Sequence, residues 1–228
     1  MEFTDEIIEA LSIDCVIFGF KNAELSVLLV KHASGITKGE WALPGSWITQ
    51  NESLEAAAYR ILTSQTAVEK IFLEQFQTFG ELDRFPTKRV ITVCYYALVN
   101  IENFELHAGP TVSEVTWHNI KNIPKMAFDH NKILEKSFIH LQHKIQHEPI
   151  GFSLLPKKFT LLHLQELYEA ILNQKLDKPN FRRKLIKMNL LVACNEKQKD
   201  VSHRAAQLYR FDKKVYDRLI DRGFSFEI

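Results

Sequence analysis

Two carboxylates and a guanidinium, Glu52, Glu55 and Arg60, stand within GSWITQNESLEAAAYRILTSQTAV at residues 45–68, and Ile61, Ser64 and Gln65 follow them. On a helix, relative positions 0, 3 and 4 fall on one face, and three carboxylates so placed hold a hard divalent cation through oxygen. Ile61, Ser64 and Gln65 fill such a trio without any negative charge, and a one-residue shift to Arg60, Thr63 and Ser64 restores none. Glu52 and Glu55 alone make a weak Mg²⁺ site. Apart from any site, the stretch reads as an ordinary amphipathic helix after the turn at Pro44 and Gly45.

A second group lies in GELDRFPTKRV, where Glu81, Asp83, Arg84 and Arg89 precede an apolar run; Trp41, and Phe128 and His130 of AFDH, complete it. Carboxylates and guanidinium groups each pair with two hydroxyls while an aromatic face covers the C–H side of a sugar, so these seven residues are the candidate effector pocket. A solvated charged loop is the alternative. His140, His143 and His147 share a helix face in HLQHKIQH but bring no carboxylate or thiol, so exposure is expected rather than metal. Cys94, in an apolar strand without a neighbouring base, reads as core. No phosphate-cradling glycine loop and no Ser-His-Asp arrangement is identifiable. Neither a cofactor nor a metal is expected.

A third group is basic. Residues 1–150 hold 13 Lys and Arg against 19 Asp and Glu, whereas residues 151–228 hold 16 against 9. Such a split points to a polyanion-binding module joined to an acidic one. In DKPNFRRKLIKMNLL, Asp177 is the expected N-cap and Pro179 sits in the first turn. Phe181, Leu185 and Met188 then share one side, which turns Asn180, Arg183, Lys184 and Lys187 to the other, with Lys178 and Arg182 beside them. Arg and Asn can pair with base edges in a major groove while Lys serves phosphate. Lys197, Lys199, His203 and Arg204 cluster near the tip of an expected hairpin, where they would rest on the DNA backbone or enter the minor groove.

These groups need elements to position them. Strands are expected at 12–20, 24–32, 89–100 and 113–120, with a helix at 53–65 and a helical stretch at 128–146 whose stripe is Ile133, Phe138, Leu141 and Ile145. Pro149, Gly151 and Pro156 interrupt the pattern, setting a boundary between a domain at 1–148 and one at 149–228. The second starts with a helix capped by Thr160, its apolar face made of Leu161, Leu164, Leu167, Tyr168 and Ile171. Helix, basic helix and a hairpin of LLVAC with AQLYRF give the order of a winged helix-turn-helix. The fold class is α+β: an α/β/α sandwich with a mixed sheet, then a small winged helix. Cys15, Cys94 and Cys194 are odd in number and set among apolar residues, as reduced core residues of a cytoplasmic protein would be. The acidic amino end and the lack of any apolar run near membrane length argue against secretion and insertion.

The 45–68 stretch resembles the Nudix box, which runs Gly, five residues, Glu, seven residues, Arg-Glu, an apolar residue, any residue, Glu-Glu, any residue, Gly and an apolar residue. Gly45, Glu52, Arg60, Leu62 and Val68 match, with one extra residue before Glu52; the three later glutamates are Ile61, Ser64 and Gln65. The whole chain is similar to the Nudix-related transcriptional regulators through GEWALPG, AFDH, LLPKKFTLLHLQELYEAIL, DKPNFRRKL and AAQLYRF, spanning residues 39–211. That resemblance implies a Nudix-like sensor controlling a DNA-binding winged helix, with ADP-ribose as effector in one branch, governing nicotinamide-cofactor metabolism, and L-arabinose in another, governing sugar use. The family's Gly-Arg-Pro-Ala wing run is met here by His203, Arg204, Ala205 and Ala206, which keeps the arginine and loses the glycine-proline shape. A pyrophosphate is normally met by metal on the box glutamates, whereas a neutral sugar needs none. The expected effector is therefore a pentose such as L-arabinose, acting on a non-catalytic repressor. The alternatives are an ADP-ribose-responsive regulator and a hydrolase of ADP-ribose-like substrates. Because one winged helix offers a small interface and operators are commonly two-fold, a homodimer on double-stranded DNA is expected.

Overall fold

The computed structural model describes residues 10–199, 205–222, 224 and 226–227. Its elements are β1 (Leu11–Lys21), β2 (Glu24–His32), β3 (Trp41–Ala42), β4 (Gly45–Trp47), α1 (Leu54–Thr66), β5 (Glu74–Phe79), β6 (Ile91–Asn100), β7 (Val112–Asn119), α2 (His130–His147), α3 (Leu161–Leu172), α4 (Lys178–Lys187), β8 (Leu191–Lys197), β9 (Gln207–Phe211) and α5 (Lys213–Ile220). Short 3-10 turns lie at Ile101–Asn103, Ile120–Asn122 and Pro149–Leu154. Among the described residues no helix is long and apolar enough to cross a membrane.

β1, β2 and β6 are apolar on successive residues rather than alternate ones, because both faces of their sheet are covered. The sheet runs β3-β2-β1-β6-β5, with β4 also paired to β1 and β7 to β2. Between β1 and β2, Asn22 and Ala23 both take left-handed φ, 52° and 61°, the pair of values that a two-residue hairpin turn requires. α1 is capped by Ser53 and stops at Ala67, which holds φ 62° where the Nudix pattern has glycine. The antiparallel register of β4 on β1 sets Gly45 opposite Asp14.

One compact unit runs to Phe138; a second takes the chain from Ile139 onward together with Phe20–Leu25 and Val99–Ile101. This division falls inside α2, whose end is tied to α3 by Gln142 Nε2, which donates to the carbonyl of Ile171 at 2.8 Å. Ile133, Leu141 and Ile145 are fully buried along α2, as the stripe predicts, and the helix begins at His130 rather than Phe128.

In the second unit the expected caps form. Thr160 accepts from the His163 amide at 3.1 Å and Asp177 from that of Asn180 at 3.0 Å. Leu164, Leu167, Tyr168 and Ile171 of α3 pack in a core with Phe181 and Leu185 of α4. β8 and β9 form the hairpin, and β8 continues to Lys197, past the point where a polar loop is expected at Asn195. α5 follows, an element the sequence reading does not contain.

Candidate functional site

Asp14 is a carboxylate in a strand whose neighbours Ile13, Cys15, Val16 and Ile17 are fully buried. A buried charge needs partners, and the loop after β5 delivers one. Arg84 Nη2 reaches Asp14 Oδ2 at 3.3 Å, while its Nε and Nη2 grip Asp129 at 3.1 and 3.0 Å. The other Asp14 oxygen lies 3.4 Å from His130 Nε2, and His130 Nδ1 accepts from the Leu43 amide at 3.0 Å. Because Nδ1 is an acceptor here, the ring proton sits on Nε2 and points at Asp14. Four polar side chains from β1, the 80–89 loop and the start of α2 thus form one buried network.

The network forms the floor of a cavity of about 330 Å³, lined also by His32, Gly45, Trp47, Gln65, Phe85 and Phe128. Its aromatic walls are contiguous: Trp47 meets Phe85 edge-on at 5.6 Å, Phe85 lies 4.7 Å from Phe128, and Phe128 meets His130 at 5.8 Å. Phe128 holds a left-handed φ of 53°, a costly backbone for a bulky residue, and it keeps the ring in this wall. Burial, followed by the proximity of His130, lowers the pKa of His32 below the usual imidazole value. A second cavity of about 540 Å³ shares Ile36, Thr37, Arg84 and Phe128 with the first and adds Glu81, Asp83 and Lys132. Together they make a cleft of two lobes.

The box helix bounds the first lobe without offering a cation site. Ile61 is buried, and Ser64 Oγ bonds back to the Ile61 carbonyl at 3.0 Å. Gln65 is bound both ways to Gly45, accepting from its amide at 3.0 Å and donating to its carbonyl at 2.9 Å. The retained Glu52 and Arg60 pair with each other at 2.6 Å, Arg60 also holding the Trp47 carbonyl and Glu52 the Thr49 amide. Among the described residues no group of three or more His, Cys, Asp or Glu is placed to hold a metal. The residues present do not fit the divalent cation that the box implies.

Of the seven expected pocket residues, Arg84, Phe128 and His130 line the first lobe, and Glu81 and Asp83 line the second with Arg84 and Phe128. The other two are engaged elsewhere. Trp41 packs edge-on against His118 at 4.5 Å beneath the Lys31 ammonium. Arg89 closes its own loop by donating to the Glu81 carbonyl at 2.6 Å. Asp14, His32, Trp47 and Phe85 line the pocket as well, and an acid inside an otherwise apolar strand is the sequence signal for Asp14. Cys15 and Cys94 are buried as expected, their thiols pushed up by burial. His143 and His147 are exposed and stacked at 4.6 Å.

On α4, Lys178, Asn180, Arg183, Lys184 and Lys187 are all exposed, and Arg183 hydrogen-bonds Asn180 one turn earlier. Arg182 differs. It is half-buried, and its Nε has no partner among the described residues, so it lies apart from the solvent face. Lys197 and Lys199 are exposed on the hairpin, whereas His203 and Arg204 lie outside the described residues.

A NUDIX domain model matches residues 9–137, and a model described as the NrtR DNA-binding winged helix domain matches residues 151–211. The chain is 33% identical over 211 residues to the ADPR responsive transcriptional repressor NtrR of Acinetobacter baylyi, covering 91% of this chain and 84% of that one. It superposes with a TM-score of 0.75 and 29% identity on Shewanella oneidensis NrtR complexed with a 27mer DNA, over 95% of this chain and 97% of the other. The NUDIX domain of the same protein complexed with ADP ribose matches at 32% identity and a TM-score of 0.56, over 59% and 90% of the two chains. These relatives name ADP-ribose and not a sugar, so they fit the ADP-ribose alternative better than the pentose expectation. The chain belongs to the NrtR family, in which a Nudix domain precedes a DNA-binding winged helix.

Proposed function

We propose that this chain is a transcriptional repressor whose winged helix holds operator DNA and whose Nudix domain binds ADP-ribose without hydrolysing it. The observation that carries the DNA half is the solvent face of α4, where Asn180, Arg183, Lys184 and Lys187 stand together inside the segment matched by the winged-helix model. Arg and Asn there can read base edges, and the lysines can neutralise phosphates. A single winged helix offers a small footprint, so two copies of the chain present two α4 helices to a two-fold site.

The two-lobed cleft supports ADP-ribose over a pentose. A single sugar ring would fill part of one lobe, whereas a ligand with an adenosine end and a ribose end spans both. Trp47, Phe85 and Phe128 suit a flat base, and the carboxylates of Glu81 and Asp83 suit ribose hydroxyls. Because the box residues do not fit a divalent cation, binding without turnover is the consistent outcome.

Genomic fragments captured by the purified chain, then sequenced, test the DNA half. A short two-fold motif is expected with the wild type and its loss with Arg183→Ala plus Lys187→Ala. Capture of fragments with no shared motif would contradict operator recognition.

A further inference from the structure

We infer that Gln65 takes the place of a bound cation: its carboxamide secures the Gly45 carbonyl, and so makes the Gly45–Trp47 wall of the sensor cleft independent of divalent metal. The position is one that the Nudix pattern gives to glutamate. An ionised carboxylate there would accept the Gly45 N–H but would face the Gly45 carbonyl oxygen with like charge, and a cation between the two oxygens, or a proton taken up by the carboxylate, would settle the conflict. The carboxamide resolves it with one group, since Oε1 accepts at 3.0 Å and Nε2 donates at 2.9 Å.

Both partners are held so that this side chain spans them. A Cβ on Gly45 would fall 2.2 Å from Asp14 Oδ1 and 2.9 Å from the Ile13 carbonyl, so the strand lies flat against β1 and has no room to shift toward it. On the other side, the Gly109 amide donates to the Gln65 carbonyl at 3.3 Å and the His107 amide to that of Thr66 at 3.1 Å. A Cβ on Gly109 would lie 1.7 Å from the Ser64 carbonyl, so this loop presses on the end of α1. Gln65 is itself buried, its exposure only 6%. Gly45, Trp47 and Gln65 all line the lobe floored by Asp14 and Arg84, so a change in this bond moves a wall of the ligand site.

Thermal unfolding of the full chain in EDTA and in millimolar Mn²⁺ tests the inference. The wild type should melt at the same temperature in both. Gln65→Glu should melt about 3–6 °C lower in EDTA, a shift of the size expected for one lost buried contact, and should recover at least half of that loss in Mn²⁺. Gln65→Met, close in size but without donor or charge, should show a loss that Mn²⁺ leaves unchanged. Mn²⁺ raising the wild-type melt as much as that of Gln65→Glu would overturn the inference, and so would an unperturbed or unrescued glutamate variant. Should Gln65→Glu fail to fold in either buffer, the wild type decides. Free Mn²⁺ followed by electron paramagnetic resonance should then show no saturable site, and one Mn²⁺ bound per chain would overturn the inference.

The consequence for the effector rests on the ADP-ribose reading: wild-type affinity for ADP-ribose should be equal in EDTA and in Mg²⁺, and a tenfold or greater gain in Mg²⁺ would contradict metal independence. No ADP-ribose binding in either buffer would defeat that reading alone, since the Mn²⁺ measurements still judge Gln65.

Discussion

Arg84 grips Asp129 at two points, Nε to Oδ2 at 3.1 Å and Nη2 to Oδ1 at 3.0 Å, with Arg84 almost wholly buried and Asp129 at the edge of the cleft. The same guanidinium touches Asp14, so one arginine offsets two carboxylates, of which Asp14 is buried.

Truncating Arg84 should therefore destabilise the Nudix domain strongly. Arg84→Ala leaves Asp14 and Asp129 without their cation, a defect of roughly 3–5 kcal/mol for a buried pair that loses one partner. Arg84→Lys keeps the charge but loses the two-point grip and should fall between. All three tryptophans, Trp41, Trp47 and Trp117, lie in the first unit, so urea unfolding followed by their fluorescence reports this domain. An unchanged midpoint for Arg84→Ala would show that the network contributes nothing.

Acid should loosen the turn before α1 in a defined window. The Arg60 guanidinium, helped by the Thr49 amide, holds Glu52 at about 2, well below the ordinary 4.5. The stabilisation from this group is fully present above the ordinary value and is lost as pH falls toward the folded one. Carbon-detected NMR titration of Glu52 should show the depressed midpoint, and Arg60→Ala should return it upward. A midpoint near the ordinary value in the wild type would remove the argument.

On α4, different chemistry should give different losses. Arg183→Ala should cost roughly 1–3 kcal/mol on the cognate operator and little on unrelated DNA, whereas Lys187→Ala should weaken all duplexes alike and flatten the salt dependence. Competition binding at two salt concentrations separates the cases. Equal, sequence-blind losses from both would take base reading away from Arg183.

How much of this is legible in the sequence varies with the kind of signal. β1, β2 and β6 are visible as apolar runs and β7 as a β-branched and aromatic stretch, and the caps at Thr160 and Asp177 follow from residue type alone. β5 is not visible, because EQFQTF is largely polar and half exposed at the end of the sheet order, and β3 and β4 are too short to show a period. Within the cleft, Arg84, Phe128 and His130 stand out by type, whereas the contact of Trp41 with His118 is one that composition does not foretell. Asp14 and Gln65 gain their meaning only from partners far along the chain, Arg84 and Gly45. The pentose expectation follows from the missing carboxylates, and it is the relatives naming ADP-ribose that favour the alternative.

Fluorescence anisotropy of a labelled operator fragment bound by the full chain, titrated in parallel with ADP-ribose, L-arabinose and buffer, bears most directly on the proposed function. ADP-ribose should weaken operator binding by about 5–150-fold, the range set by a coupling of 1–3 kcal/mol between two sites, and L-arabinose should leave the curve in place. A shift with L-arabinose and none with ADP-ribose, or a curve that neither ligand moves, would contradict the account.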